Sequence, residues 1–278
     1  MTVRKRLVSA CLHAILLVGV AFSVLPFFWM ISTSLKTNEE VNQSEIRWWP
    51  HKPQWANYPE AVRRASSIKS SFARSFANSA AVAVAVTAGV LVTAVLAAYG
   101  FSFYRFRGQG LLFLLFLTPM MIPFEVILVP NFAIINELGW YDTYRALIIP
   151  WIANVFSIFF LRRIFDRIPR EVYDAARVDG CGGLRFLWSV AIPMVKPALI
   201  TIGLYTFLGS WNAFLWPLVA TSSPELAVVQ KALATFVQEA GTEYHLLMAA
   251  ATLTVLPVVI IYLVSQRWFH EGAEQIKW

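Results

Sequence analysis

What most constrains this chain is a succession of apolar runs, each long enough to cross the roughly 30 Å hydrocarbon core of a bilayer, separated by polar pieces that carry most of its arginine. Of its 278 residues 58% are hydrophobic and only 14% charged. A soluble domain carries about 25% charged residues, so this composition excludes a soluble protein with one large core. The expected spans lie at about residues 10–31, 76–101, 111–135, 144–161, 198–219 and 246–264.

The first run follows Arg4-Lys5-Arg6, the pattern of a secretory signal peptide. At about 25 residues it exceeds the 7–15 residues of an ordinary signal core, and no small-residue cleavage site precedes Pro26 and Trp29, so it reads as an uncleaved span. The segment from Ser32 to Arg74 is the longest polar stretch and contains Trp48-Trp49-Pro50, Trp55 and Tyr58. Such rings suit the headgroup level, so this is either an interfacial loop packed on the helices or a surface for an external partner. The second run is rich in Ala and Val, and small residues let backbones approach closely, so it is expected at the centre of the bundle. The third holds Pro119, Pro123 and Pro130 and is expected to be bent or broken. Its carboxylate, Glu125, lies either beside a pathway or at a helix interface or the membrane edge.

Six spans place both termini on one side. The N-terminus, the turn at residues 104–108, the 162–197 loop and the C-terminus hold three, two, seven and two Lys/Arg, against nine on the other side, seven of which sit in the one long loop. Positive charge in short loops resists crossing, so both termini are expected in the cytoplasm. The same placement accounts for the net charge of +7 without nucleic acid. The domain plan is then a cytoplasmic N-terminus at 1–9, a transmembrane domain at 10–266 and a cytoplasmic tail at 267–278.

Catalytic signals are missing from the sequence. There is no G-x-x-x-x-G-K-[ST] phosphate loop. His13, His51, His245 and His270 are scattered, and Cys11 and Cys181 have neither metal spacing nor the setting of a disulfide. Thr221-Ser222-Ser223 has no base beside it and reads as loop.

The loop at 162–197 is the exception to this plainness. Ile168-Pro169 can start a helix, and Glu171 and Asp174 then lie near the positive end of its dipole. Glu171, Asp174 and Val178 share a face, and Ala175 and Ala176 leave room for close approach. Gly180, after Asp179, permits a left-handed turn that ends the helix. Gly182-Gly183 precede a second apolar helix, and Pro193 and Pro197 punctuate the start of the fifth span. The reading is helix, turn and helix at the cytoplasmic face, a compact projection able to pass a rigid-body push to two spans.

Asp174-Ala175-Ala176, then Gly180, then Val190-Ala191-Ile192-Pro193 resembles the "EAA" loop of the membrane-spanning subunits of bacterial ABC importers. Asp174 stands where that family usually has Glu, and Cys181 where it usually has Ala. Trp55-Ala56-Asn57-Tyr58, Asn78-Ser79, Ile122-Pro123-Phe124-Glu125-Val126, Leu138-Gly139, Asp142-Thr143 and Trp211-Asn212-Ala213-Phe214-Leu215-Trp216-Pro217 resemble recurring phrases of the carbohydrate-uptake branch, maltose-permease type. The tail from His270 to Trp278 departs from the Gly/Ala/Lys-rich ending of that branch.

The resemblance implies an all-α membrane protein of six transmembrane helices, N-in and C-in, in the bacterial cytoplasmic membrane, with a cytoplasmic coupling-helix (EAA) loop between helices 4 and 5. It implies a second permease subunit, an ATP-binding cassette ATPase dimer that holds ATP and Mg, and an extracytoplasmic solute-binding protein. This chain would bind no cofactor or metal. Coupling to the ATPase falls to Glu171, Asp174, Ala175, Ala176, Asp179, Gly180 and Pro193. Glu125, Trp211, Asn212, Phe214 and Trp216 are candidates for the translocation path, the last four equally readable as helix packing and interfacial anchoring. The implied solute is a sugar or related polyol, with glycerol 3-phosphate or its diesters as the alternative. A stand-alone channel or small membrane enzyme would need no docking loop.

Overall fold

The computed structural model describes residues 3–66, 71–238 and 241–275. The chain forms two compact units, residues 1–73 with 232–257, and 74–231 with 258–278. The terminal Arg4, Lys5, Arg6, Arg267 and Lys277 of the charge argument lie in stretches whose side chains are outside the described residues.

The chain begins with α1 (Val3–Ser34), followed by the short α2 (Asn38–Asn42) and α3 (Asn57–Arg64). α4 (Phe72–Phe103) leads through a left-handed Gly108 into α5 (Gln109–Leu117), a 3-10 turn at Thr118–Met121 and α6 (Phe124–Glu137). Then come α7 (Tyr144–Ile148), a 3-10 turn at Ile149–Trp151 and α8 (Val155–Phe165). The next elements are α9 (Arg170–Val178), α10 (Gly183–Phe186), a π-helical stretch at Leu187–Ala191, α11 (Ile192–Met194) and α12 (Lys196–Trp211). α13 (Leu215–Ala220), α14 (Val229–Leu233), an antiparallel pair β1 (Val237–Gln238) and β2 (Gly241–Thr242), and α15 (Tyr244–Gln275) complete the chain. Among the described residues this one strand pair is the only departure from the all-α expectation.

Among the described residues, four helical stretches are individually long and apolar enough to cross a membrane, and up to six if each of two bent pairs counts as one span. The first bent pair is the third apolar run, broken by 101° between residues 121 and 124 as its prolines implied. Proline disfavours helical backbone in the residue before it, and Ile122, ahead of Pro123, is extended at φ −93°, ψ 119°. The second pair, bent by 80°, joins residues 183–194 to α12.

The fourth expected span, at 144–161, has its counterpart in the apolar stretch Tyr144–Phe165, which passes through a 3-10 turn at Ile149–Trp151 and resumes as α8 at Val155. The fifth, placed at 198–219, stops at Trp211. Pro217 has no N–H to give to residue 213 and its ring crowds that carbonyl, which favours a break here, whereas Pro26, Pro130 and Pro257 are accommodated inside α1, α6 and α15. The chain restarts at Leu215, which puts Pro217 in the first turn of α13, where it is tolerated.

The core of the second unit is built on α4, as its small residues implied. Val82, Val86, Val90, Ala94, Ala98 and Tyr99 are buried there, with Leu147, Ile158, Leu161, Phe165, Phe186, Ile202 and Trp216 around them. Gly89 marks a close approach: a Cβ added there would lie 2.6 Å from Ile152 Cβ and 3.3 Å from Ile152 Cα. Thr93 Oγ1 donates to Ile152 O at 2.7 Å, satisfying a carbonyl freed by the break before α8.

In the first unit the loop after α1 folds back on that helix. Asn57 Nδ2 donates to Ser34 O and Lys36 O, both at 2.8 Å, and Ser34 Oγ and Tyr58 Oη are 2.9 Å apart. These bonds use carbonyls that a helix end leaves unpaired. Thr37 and Glu40 form a reciprocal capping box that starts α2. Trp29 meets Trp48 edge-on at 5.5 Å and Phe28 stacks on Trp49 at 6.1 Å, so the expected aromatic loop packs on α1.

Candidate functional site

The loop from α8 to α12 has the helix, turn and helix read from the sequence. Pro169 is the residue before the first turn, not in it, and α9 starts at Arg170 with Glu171 in its first turn. The helix ends in a paired-carbonyl turn: Gly180 N–H donates to Arg177 O at 3.1 Å and Cys181 N–H to Ala176 O at 2.9 Å. Gly180 has φ +74°, the left-handed backbone this termination requires. Cys181 and Ala176 both pack against the core, the apolar contact that accompanies such a turn.

An aromatic cluster fixes this loop to the second unit. The Tyr173 ring, from α9, lies 5.3 Å from Phe103 and 4.9 Å from Phe186. Phe103 in turn meets Phe165 at 6.0 Å and Phe186 at 5.3 Å, and Tyr99 Oη donates to Gly183 O at 2.8 Å. One ring group therefore joins the ends of α4 and α8 to both arms of the loop. Packed interiors transmit displacement because they are dense and poorly compressible.

The opposite side of the loop is open. Glu171, Asp174, Ala175, Asp179, Gly180 and Pro193 are exposed and Ala176 is half-buried. Three apolar side chains stand out beside them, Val178 at 88%, Leu184 at 66% and Trp188 at 64% exposure. Leu184 and Trp188 were not read from the sequence as site residues, because they look like the apolar beginning of the following span.

A cavity of about 390 Å³ lies within the second unit. Its aromatic lining is Phe124, Trp151, Tyr205, Phe214 and Trp216, and its polar lining Ser79, Asn154, Thr206 and Ser210 with the Tyr205 hydroxyl. Among the described residues no Asp, Glu, Lys, Arg or His lines it. Two walls are rigid: Trp216 Nε1 donates to Ala146 O at 2.9 Å, and Trp151 meets Trp216 at 5.5 Å and Phe124 at 5.5 Å. Asn154 accepts from Ser157 N–H at 2.9 Å, which starts α8.

Of the five path candidates, Phe214 and Trp216 line this cavity. Trp211 is buried elsewhere, stacked on Phe207 at 5.9 Å and edge-on to Phe76 at 5.5 Å. Asn212 is exposed and accepts from Gln230 Nε2 at 3.3 Å, while Glu125 is exposed in the first turn of α6. Trp151, Asn154 and Tyr205 were missed, although Asn154 is a polar residue in an apolar run and so carried a signal.

Two polar clasps hold the loops that border α13. Asn78, 4% exposed, donates to Glu225 O at 2.8 Å and Ala227 O at 2.9 Å and accepts from Tyr144 Oη at 2.7 Å. Asp142, at φ +58°, accepts from the N–H groups of Ser222 and Ser223, both at 2.9 Å, and from Ser223 Oγ. Burial opposes its ionisation, but these donors outweigh it and hold its carboxyl below the usual value. Burial likewise lowers the Lys231 ammonium, against the nearby Asp142 charge, and Lys231 Nζ donates to Thr221 O at 2.8 Å.

Residues 89–275 match the family model described as the binding-protein-dependent transport system inner membrane component. This chain belongs to that family. It is 30% identical over 263 residues to the sn-glycerol-3-phosphate transport system permease protein UgpE of Yersinia pestis bv. Antiqua (strain Antiqua), covering 94% of each chain. It is 35% identical over 182 residues to the arabinooligosaccharides transport system permease protein AraQ of Halalkalibacterium halodurans, covering 66% of this chain and 65% of that one. Its fold matches a chain of a bacterial ABC transporter involved in the import of the acidic polysaccharide alginate, with a TM-score of 0.82, 25% identity and coverage of 97% and 99%. The membership makes the chain a permease component of an importer, in keeping with the resemblance read from residues 174–193.

Proposed function

We propose that this chain is one of two permease subunits of an ATP-driven importer in a bacterial cytoplasmic membrane, with six spans, both termini in the cytoplasm and the 162–197 loop facing a separate ATPase. The observation that carries this reading is the two-sided loop, clamped on one side by the Tyr99, Phe103, Phe165, Tyr173 and Phe186 rings and open on the other. Glu171, Asp174, Ala175, Ala176, Asp179, Gly180 and Pro193 form the coupling surface. Val178, Leu184 and Trp188 add apolar area whose burial in a partner is worth about 1.5–3 kcal/mol per side chain. ATP and Mg on the ATPase dimer bias it towards closure, the docked loop carries that movement to α4 and α8, and the pathway alternates its access. An external binding protein delivers the solute.

The solute we assign is a neutral saccharide or polyol. Aromatic faces with hydroxyl and amide groups suit sugar rings, and the cavity offers no cation for a phosphate or carboxylate. Transport of glycerol 3-phosphate is the second reading, favoured by the 30% identity to the glycerol-3-phosphate permease over 94% of the chain. Stimulation of ATPase activity in the complete complex with its binding protein separates them. A neutral saccharide should stimulate and glycerol 3-phosphate should not; the reverse result rejects the neutral-solute reading. Tyr205→Ala should raise the KM for uptake severalfold by removing a stacking face and a hydroxyl.

A further inference from the structure

At the end of α1, within the first unit, a second cavity of about 250 Å³ is lined by Trp29, Thr33, Lys36, Glu40, Glu45 and Arg47, among others. It differs from the larger cavity in carrying both signs of charge. Its polar groups are also only partly used. Thr33 is 4% exposed, and its buried hydroxyl has no hydrogen-bond partner. Lys36 Nζ donates to Arg47 O at 2.6 Å and lies 4.0 Å from the Trp29 ring centroid, which leaves donors of its ammonium free. Burial lowers the Lys36 ammonium, against the opposing charge of Glu40, so a nearby anion would stabilise its charged form. Glu40 is occupied by the backbone N–H groups of Thr37 and His51, whereas the Glu45 carboxylate is mostly exposed and reaches only Arg47, at 4.0 Å. A buried hydroxyl and two cations thus line a space together with two carboxylates, Glu40, already bonded, and Glu45, which lies beside Arg47 and has acceptor capacity to spare; the Arg47 guanidinium also meets His51 Nε2.

The surroundings indicate what brings a ligand there. Below the cavity, α1 exposes Leu17, Val18, Phe22, Val24, Leu25 and Phe27. Beside it are the Trp29–Trp48 and Phe28–Trp49 pairs, with Trp48 and Trp49 each about half exposed. Tryptophan at the end of a long apolar helix marks the headgroup level of a bilayer.

We propose that this cavity holds the headgroup of a zwitterionic, amine-bearing phospholipid, with its phosphate towards Thr33, Lys36 and Arg47, its ammonium towards Glu45, and its acyl chains along α1. The assignment rests on α1 lying in a bilayer and is independent of the transported solute.

Native mass spectrometry of the complete transporter in mild detergent tests it, with phosphatidylethanolamine, phosphatidylglycerol and free O-phosphoethanolamine as probes. One phosphatidylethanolamine should be retained per copy of this chain, about tenfold more tightly than phosphatidylglycerol, a difference of the size expected for one charge-assisted contact. Arg47→Gln and the near-isosteric Thr33→Val should each weaken retention about tenfold while the complex stays assembled. Equal retention of phosphatidylglycerol would reduce the site to ordinary boundary lipid and overturn the proposal. So would unaltered retention in both variants. Binding of free O-phosphoethanolamine as tight as that of the lipid would make the ligand a soluble zwitterion, and protection of the cavity only on adding the solute-binding protein would make it a protein interface; either result rejects the lipid.

Discussion

At the scale of single residues, the phrases shared with the carbohydrate-uptake branch prove to be terminators and clasps. Leu138-Gly139 ends α6 as Asp179-Gly180 ends α9, with Gly139 N–H donating to Asn136 O at 3.0 Å and Trp140 N–H to Ile135 O at 2.8 Å. Asn57 closes the end of α1, Thr143 caps α7, and Asn78 binds two carbonyls and a hydroxyl with one amide. Asn78→Ala leaves those carbonyls unpaired, at about 1–3 kcal/mol, and should lower the thermal midpoint of the purified protein; an unchanged midpoint would show that water replaces the amide. Asp142 carries a pH dependence of definite sign. Its folded pKa is depressed, so its clasp contributes fully above the ordinary carboxylate value of 3.8 and is lost as pH falls through the lower folded value. Hydrogen exchange at the Ser222 and Ser223 amides should stay slow down to that ordinary value and quicken below it, and Asp142→Asn should quicken it already at neutral pH. Phrases of this kind are legible as motifs in a sequence, but their partners are not: Asn78 and Glu225 are brought together only by the packing of the second unit.

At the scale of elements, the sequence was most informative where backbone chemistry is local and least where a proline acts at a distance of four residues. The break at Pro123 and the left-handed end of α9 at Gly180 were both readable, because each depends on one residue and its neighbour. The stop at Trp211 was not anticipated, since the apolar pattern runs on through Pro217, and a proline need not break a helix, as Pro26, Pro130 and Pro257 show in α1, α6 and α15. That interruption separates Trp211 from Trp216 and decides which of the two faces the cavity. The cavity itself draws on α4, α6, α12 and α13, and no spacing within one segment announces such a meeting. Packing between elements also sets a sharp test. Gly89→Val requires α4 and residue 152 to move apart, because the contact includes Ile152 backbone, so the variant should fail to accumulate as a monodisperse complex. Normal accumulation would mean that this approach is looser than its geometry. Tyr173→Ala removes the ring that ties α9 to Phe103 and Phe186, and should lower uptake per ATP hydrolysed without abolishing hydrolysis.

At the scale of the whole molecule, the 162–197 loop and the neutral cavity belong to one packed unit. The loop identified the class of machine from its sequence, because the spacing from Asp174 to Pro193 encodes a helix, a turn and a return to the membrane. Its exposed side was only half legible, for Leu184 and Trp188 stand exposed on the segment that precedes the 80° bend into α12. The central claim is that this loop transmits the work of another chain, and the uptake-to-hydrolysis ratio of the reconstituted complex measures it. Gly180→Pro is the decisive substitution, since proline fixes φ near −65° where the turn requires +74°. With this variant, or with charge reversal in Asp174→Lys, the account predicts that hydrolysis continues while uptake falls by at least about tenfold, the equivalent of one 1.4 kcal/mol step in coupling. Uptake at the wild-type ratio in both variants would contradict it.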